Sequence, residues 1–87
     1  MKTDPIQLNN GSDHTLAEHV RLSVETYFAH LNGHESSGLY QLVLTEVEKP
    51  LLEAALKHAD YNQSKTAKIL GLSRSTLRKK LENYGLG

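Results

Sequence analysis

The chain of 87 residues has no cysteine. Without thiols it builds neither a disulfide framework nor a thiolate zinc site. Its apolar stretches are a few residues long, too short for a membrane span or for the apolar region of a signal peptide. A glycine-rich phosphate loop is absent, as are paired carboxylates in an apolar setting and a Ser/His/Asp order that helices could bring together. No enzyme and no cofactor is therefore expected. Five histidines, His14, His19, His30, His34 and His58, raise the question of a metal. His30 and His34 are four apart, but Gly33 breaks any helix between them and no acidic residue completes a set, so no metal site is expected. His58 is read as packed at the end of a helix, and Glu46, Glu48 and Glu53 as solvent-exposed positions.

Net charge is also missing, at zero, which alone argues against a nucleic-acid partner. Its distribution argues the other way. Residues 1–56 carry three basic and eight acidic side chains, net −5, whereas residues 57–87 carry seven basic and two acidic ones, net +5. A basic end on a neutral chain can face a phosphate backbone.

The length suits one small domain. A monomer of this size buries about 60% of its unfolded surface and is marginal by itself. Residues 1–12 show no sustained periodicity and read as a flexible tail. From about Asp13 the spacing becomes helical, with Leu16, Val20, Val24, Tyr27, Phe28 and Leu31 on one apolar stripe. Ser12 or Asp13 can cap this helix, and Thr15 with Glu18 offers a capping box one turn in. Asn32 and Gly33 stop it. A second helix is expected from about Leu39 to Ala59, capped by Ser37. Its broad apolar face comprises Leu39, Leu42, Val43, Val47, Leu51, Ala54, Ala55 and His58 or Ala59. Pro50 lies inside it and clashes with the Glu46 carbonyl, so a kink is expected rather than a break, because the apolar phase runs on through Leu51 and Ala54. Residues 13–59 expose more apolar face than one short chain covers. Two copies packing their helix pairs into a four-helix core, a homodimer, would cover it.

Residues 62–84 have the grammar of a helix-turn-helix. Asn62 caps a third helix over residues 63–70, with Thr66, Ala67, Ile69 and Leu70 inward. Ala67 permits a close crossing, Gly71 supplies the positive φ of the turn, and Leu72 plugs it. Ser73 caps a fourth helix, from Arg74 to about Tyr84, with Leu77, Leu81 and Tyr84 inward. Arg74, Ser75, Arg78, Lys79 and Glu82 then point outward. Basic residues at a helix N-terminus oppose the macrodipole, so folding alone gives no reason for Arg74 there. A helix entering a major groove N-terminus first does: Arg74 suits guanine O6 and N7. Asn62, Ser64 and the amides at the start of the third helix suit a phosphate.

The segments YFAHLNG (27–33), LYQLVLTEVEKPLL (39–52) and TLRKKL (76–81), followed by Tyr84 and Gly85, closely resemble the family of the factor for inversion stimulation, the Fis family of bacterial nucleoid-associated proteins. The resemblance covers about Leu16 to Leu86. It implies an all-α fold: four helices per subunit, two of them long and intertwined in a homodimer, with a helix-turn-helix at each end. It implies double-stranded DNA as partner, transcriptional regulation, a cytoplasmic place on the bacterial nucleoid, and sites with edge guanines and an AT-rich centre read through bending. Carried onto this chain, Arg74 contacts guanine and Thr76 and Lys79 lie at the groove. Asn62, Ser64, Lys65 and Arg78 hold phosphates and flanking DNA, and Lys80 completes the basic set. Ser73 stands where well-known members have Asn. Asp60 and Tyr61 replace an Arg-Gly pair that helps those members contact RNA polymerase, which leaves that contact open. Residues 1–12 are short for the β-hairpin arm of members that stimulate DNA inversion. Glu82 and Asn83 replace lysines, which implies a shallower salt dependence. The competing readings are a helical dimer that acts as a protein-interaction module and a dedicated repressor.

Overall fold

A computed structural model of the chain describes residues 14–87. The expected tail over residues 1–12 and the caps at Ser12 and Asp13 lie outside the described residues. Four α-helices follow in order: α1 Leu16–Ala29, α2 Leu39–His58, α3 Gln63–Leu70 and α4 Arg74–Asn83. The described residues divide into two compact units, the first ending at Leu39 and the second running from Tyr40 to Gly87.

In the first unit, the Thr15 hydroxyl caps α1 by accepting from the Glu18 amide at 3.2 Å. The Glu18 carboxylate meets the His14 ring at 2.9 Å and places negative charge in the first turn, where the macrodipole favours it. The helix ends at Ala29, two residues short of Leu31. The His30 amide donates to both the Thr26 and Tyr27 carbonyls, and the Leu31 amide reaches back only three residues to Phe28, which tightens the last turn. The left-handed residues Asn32 (φ 54°) and Gly33 (φ 83°) come only after the cap at His30, so the expected stop lies three residues beyond the observed end of the helix. The expected stripe is found: Leu16, Val20, Val24, Tyr27 and Leu31 are half-buried. Phe28 departs from it, at 50% exposure. No residue of α1 is fully buried.

Pro50 does not divide α2, which runs unbroken for 20 residues. Gly38, at φ 73°, separates Ser37 from the helix start. The buried positions of α2 are Leu52, Ala55 and Leu56, continued by Ala59; Leu52 and Leu56 lie outside the expected face, whose Leu42, Leu51 and Ala54 are exposed in the single chain. The helix carries two adjacent apolar stripes, and periodicity merged them into one. The Leu52 stripe packs within the second unit; the Leu42 and Leu51 side chains remain 52% and 51% exposed. His58 is exposed as well, not packed.

The second unit is held by Leu52, Leu56, Ala67, Leu77 and Leu81, with Leu70, Leu72, Tyr84 and Leu86 packed around them. Thr66 is fully buried, and its hydroxyl donates to the Asn62 carbonyl at 2.8 Å, so burial leaves no orphaned polar atom there. Ile69, expected inward, is 48% exposed: Thr66, Ala67 and Leu70 already fill the inward arc of an eight-residue helix.

Three helix ends in this unit use one device. The Leu72 amide donates to Ala67 and the Gly71 amide to Lys68; the Leu86 amide donates to Leu81 and the Gly85 amide to Glu82. This paired arrangement closes a helix through a left-handed residue. A side chain at Gly71 would meet nothing within 4 Å, so glycine is needed there for its φ of 73° and not for space. At the end of α2 the same bonds run from Tyr61 to Leu56 and from Asp60 to Lys57, but the left-handed residues are Asp60 (φ 54°) and Tyr61 (φ 65°). An aspartate tolerates that region; a tyrosine there is strained.

Candidate nucleic-acid interface

α3 and α4 form the expected helical hairpin. The Asn62 side-chain carbonyl accepts from the Lys65 amide at 3.0 Å, which satisfies one orphan donor of α3 and leaves the Asn62 side-chain NH2 facing solvent. Ser64 and Lys65 lie exposed in the first turn beside it. The amides of this turn, the Asn62 amide group and the Lys65 ammonium together present donors and positive charge, the chemistry of a phosphate cradle.

At the start of α4 the Ser73 hydroxyl accepts from the Thr76 amide at 3.2 Å and donates to Thr76 Oγ1 at 2.9 Å. Ser75 Oγ lies 3.3 Å from Ser73 Oγ. Ser73 is thus occupied by capping, while the Thr76 hydroxyl keeps its own proton for an outside acceptor. Arg74, Arg78 and Lys79 are exposed, with Arg74 the first residue of the helix. The first turn of α4 carries no acidic residue. Leu77 and Leu81, both at 0% exposure, fix the opposite side of α4, so these basic side chains point outward.

Eight of the nine sequence-derived candidates, Asn62, Ser64, Lys65, Ser73, Arg74, Thr76, Arg78 and Lys79, are exposed on this hairpin. Lys80 differs. Its ammonium donates to Glu48 Oε2 at 2.6 Å, and the Tyr84 hydroxyl donates to Glu48 Oε1 at 2.6 Å. Glu48 is consequently half-buried, and its assignment as a solvent-exposed carboxylate is corrected. The bonds from Lys80 and Tyr84 hold the Glu48 carboxyl below the ordinary glutamate range. The same carboxylate raises Lys80 above the ordinary lysine range and Tyr84 above the ordinary tyrosine range. This cluster bridges 32 and 36 residues of chain, a separation that local spacing does not encode. The one hint is Tyr84, an inward tyrosine whose hydroxyl needs a partner. Among the described residues, no group of three or more His, Cys, Asp and Glu side chains gathers in a way that could hold a metal.

Comparison with known proteins places this geometry. Residues 43–84 match the family described as "Bacterial regulatory protein, Fis family". The chain is 48% identical over 71 residues to the DNA-binding protein Fis of Aliivibrio fischeri, covering 82% of this chain and 72% of that protein. It is 44% identical over 75 residues to the DNA-binding protein Fis of Glaesserella parasuis, covering 86% and 76% respectively. It is 49% identical over 72 residues to a putative Fis-like DNA-binding protein of Pseudomonas aeruginosa, covering 83% and 69%. With a helix-turn-helix that presents its basic side chains outward and relatives of this identity and coverage, the chain belongs to the Fis family of bacterial regulatory proteins.

Proposed function

We propose that this chain is a DNA-binding transcriptional regulator of the bacterial nucleoid, acting in the cytoplasm as a homodimer that bends its site. The carrying observation is the exposed basic start of α4, where Arg74 stands unopposed by acidic neighbours on a helix anchored by Leu77 and Leu81. Arg74 reads a guanine edge through O6 and N7, with Thr76 and Lys79 beside it in the major groove. Asn62, Ser64, Lys65 and Arg78 hold phosphates on either side, and Ser73 sets the first turn that aims Arg74.

The homodimer reading is supported by Leu22, Phe28, Leu42 and Leu51, large apolar side chains between 44% and 52% exposed in the single chain. Two subunits present two α4 helices at one fixed separation. A duplex whose successive major grooves do not match that separation must bend, and its central base pairs are selected by deformability. Asp60 and Tyr61 stand exposed at the corner between α2 and α3, an acidic and an aromatic residue, so no polymerase contact is proposed at that corner. The arm linked to DNA inversion falls on residues 1–12, outside the described residues.

Arg74→Ala tests the assignment. Binding measured on duplexes with and without the edge guanines should lose about 1–3 kcal/mol of discrimination. Equal weakening on all sequences would make Arg74 a phosphate contact instead. If the basic hairpin serves a protein partner, neither duplex will bind at low salt.

A further inference from the structure

Three acidic residues of α2 share a charge but not a setting. Glu46 and Glu53 are exposed, whereas the Glu48 side chain is only 18% exposed. Both of its oxygens are engaged, one by the Lys80 ammonium and one by the Tyr84 hydroxyl, each at 2.6 Å. α4 carries four basic residues, Arg74, Arg78, Lys79 and Lys80, and among the described residues only Lys80 is paired with a carboxylate. The bond that Lys80 makes is the bond it would make to DNA: an ammonium donating to an anionic oxygen. Tyr84 holds the carboxylate from its other side, so Glu48 stays oriented whether or not Lys80 is bound.

We propose that Glu48 is an internal stand-in for a DNA phosphate, which withholds Lys80 from the backbone and thereby sets how many phosphates each subunit neutralises. This rests on the DNA-binding reading above. Lys80 follows Thr76 by one helical turn, so the two share a flank of α4. A released ammonium on its four-carbon stem sweeps the strip beside the groove-facing start of the helix. The Glu48–Lys80 pair is partly shielded from solvent and therefore less screened by salt than an exposed lysine–phosphate contact. The internal partner keeps its hold as ionic strength rises, just where the phosphate contact weakens.

The test is the slope of log binding constant against log salt concentration, on one duplex with guanines at both edges. It uses the native chain, Glu48→Gln, Lys80→Met and the double variant. Glu48→Gln should steepen the slope by about 0.9 per subunit and tighten binding at low salt. Lys80→Met in the otherwise native chain should leave the slope where it was, and the double variant should match the native chain. A slope made shallower by Lys80→Met alone would show that Lys80 already touches phosphate and would overturn the proposal, as would an unchanged slope for Glu48→Gln. Thermal melts establish that each variant is folded; should Glu48→Gln unfold, the Lys80→Met slope decides. A native chain that fails to bind at low salt defeats the DNA-binding reading itself, whereas binding with unmoved slopes defeats this inference alone.

Discussion

The two units of this chain spend their apolar residues differently. Residues 40–87 close a core of their own: Leu52, Leu77 and Leu81 reach 1%, 0% and 0% exposure, and three helix ends are sealed by paired backbone bonds. In residues 14–39 no residue of α1 is fully buried, and Leu22 and Phe28 stay 44% and 50% exposed. A helix of 14 residues with its apolar stripe half-open has little independent stability in water. The contrast teaches where each part obtains its order: the helix-turn-helix from its own side chains, and the α1 region, on the homodimer reading, from a second copy.

The contrast breaks most sharply at Leu77. Leu77→Ala removes a fully buried side chain and should cost about 2–5 kcal/mol, enough to unfold the second unit, as a denaturant melt would reveal. Leu42→Asp should act in the opposite way. Leu42 is exposed in the single chain, so the fold of the helix-turn-helix should be retained while self-association weakens by roughly tenfold or more, each tenfold corresponding to about 1.4 kcal/mol. Sedimentation equilibrium measures this, and an unchanged association constant would exclude Leu42 from the subunit interface.

A smaller effect follows from Glu48. Its folded carboxyl is held below the ordinary glutamate range, first by the Lys80 bond and then by Tyr84. The stability it contributes is complete above that ordinary range and is lost as pH falls through the depressed folded value. Lys80 is shifted upward by the same bond, so its share is complete below the ordinary lysine range and lost as pH rises through the raised value. Glu48→Gln should therefore flatten the acid limb of a melting-temperature curve against pH. The smallest effect is at Tyr61, whose φ of 65° suits glycine better than tyrosine. Tyr61→Gly should raise stability by up to about 1 kcal/mol, the strain relieved exceeding the chain entropy added.

Much of this was legible in the residues because it is local. Asn62, Gly71 and Ser73 each mark a boundary through its own backbone chemistry, and α3 begins and ends where they place it. Arg74, Arg78 and Lys79 could be placed outward because Leu77 and Leu81 had to point in. What failed was tertiary. Leu51 and Leu52 are adjacent and equally apolar, and only the packing of the second unit decides that Leu52 is buried while Leu51 is not. Ile69 is apolar like its inward neighbours, but Thr66, Ala67 and Leu70 already fill the inward arc of α3 and Ile69 stays 48% exposed. The Glu48–Lys80–Tyr84 cluster joins positions 32 and 36 residues apart, and no spacing rule pairs them.

The central claim is that the basic hairpin binds duplex DNA, two chains to a site. Its most direct test is a fluorescence-anisotropy titration of an AT-centred duplex with edge guanines, from low to physiological salt, with the mass of the complex determined by sedimentation. The account predicts a complex of two chains per duplex whose affinity falls steeply as salt rises. Absence of any complex at low salt, or binding that salt leaves unchanged, would contradict it.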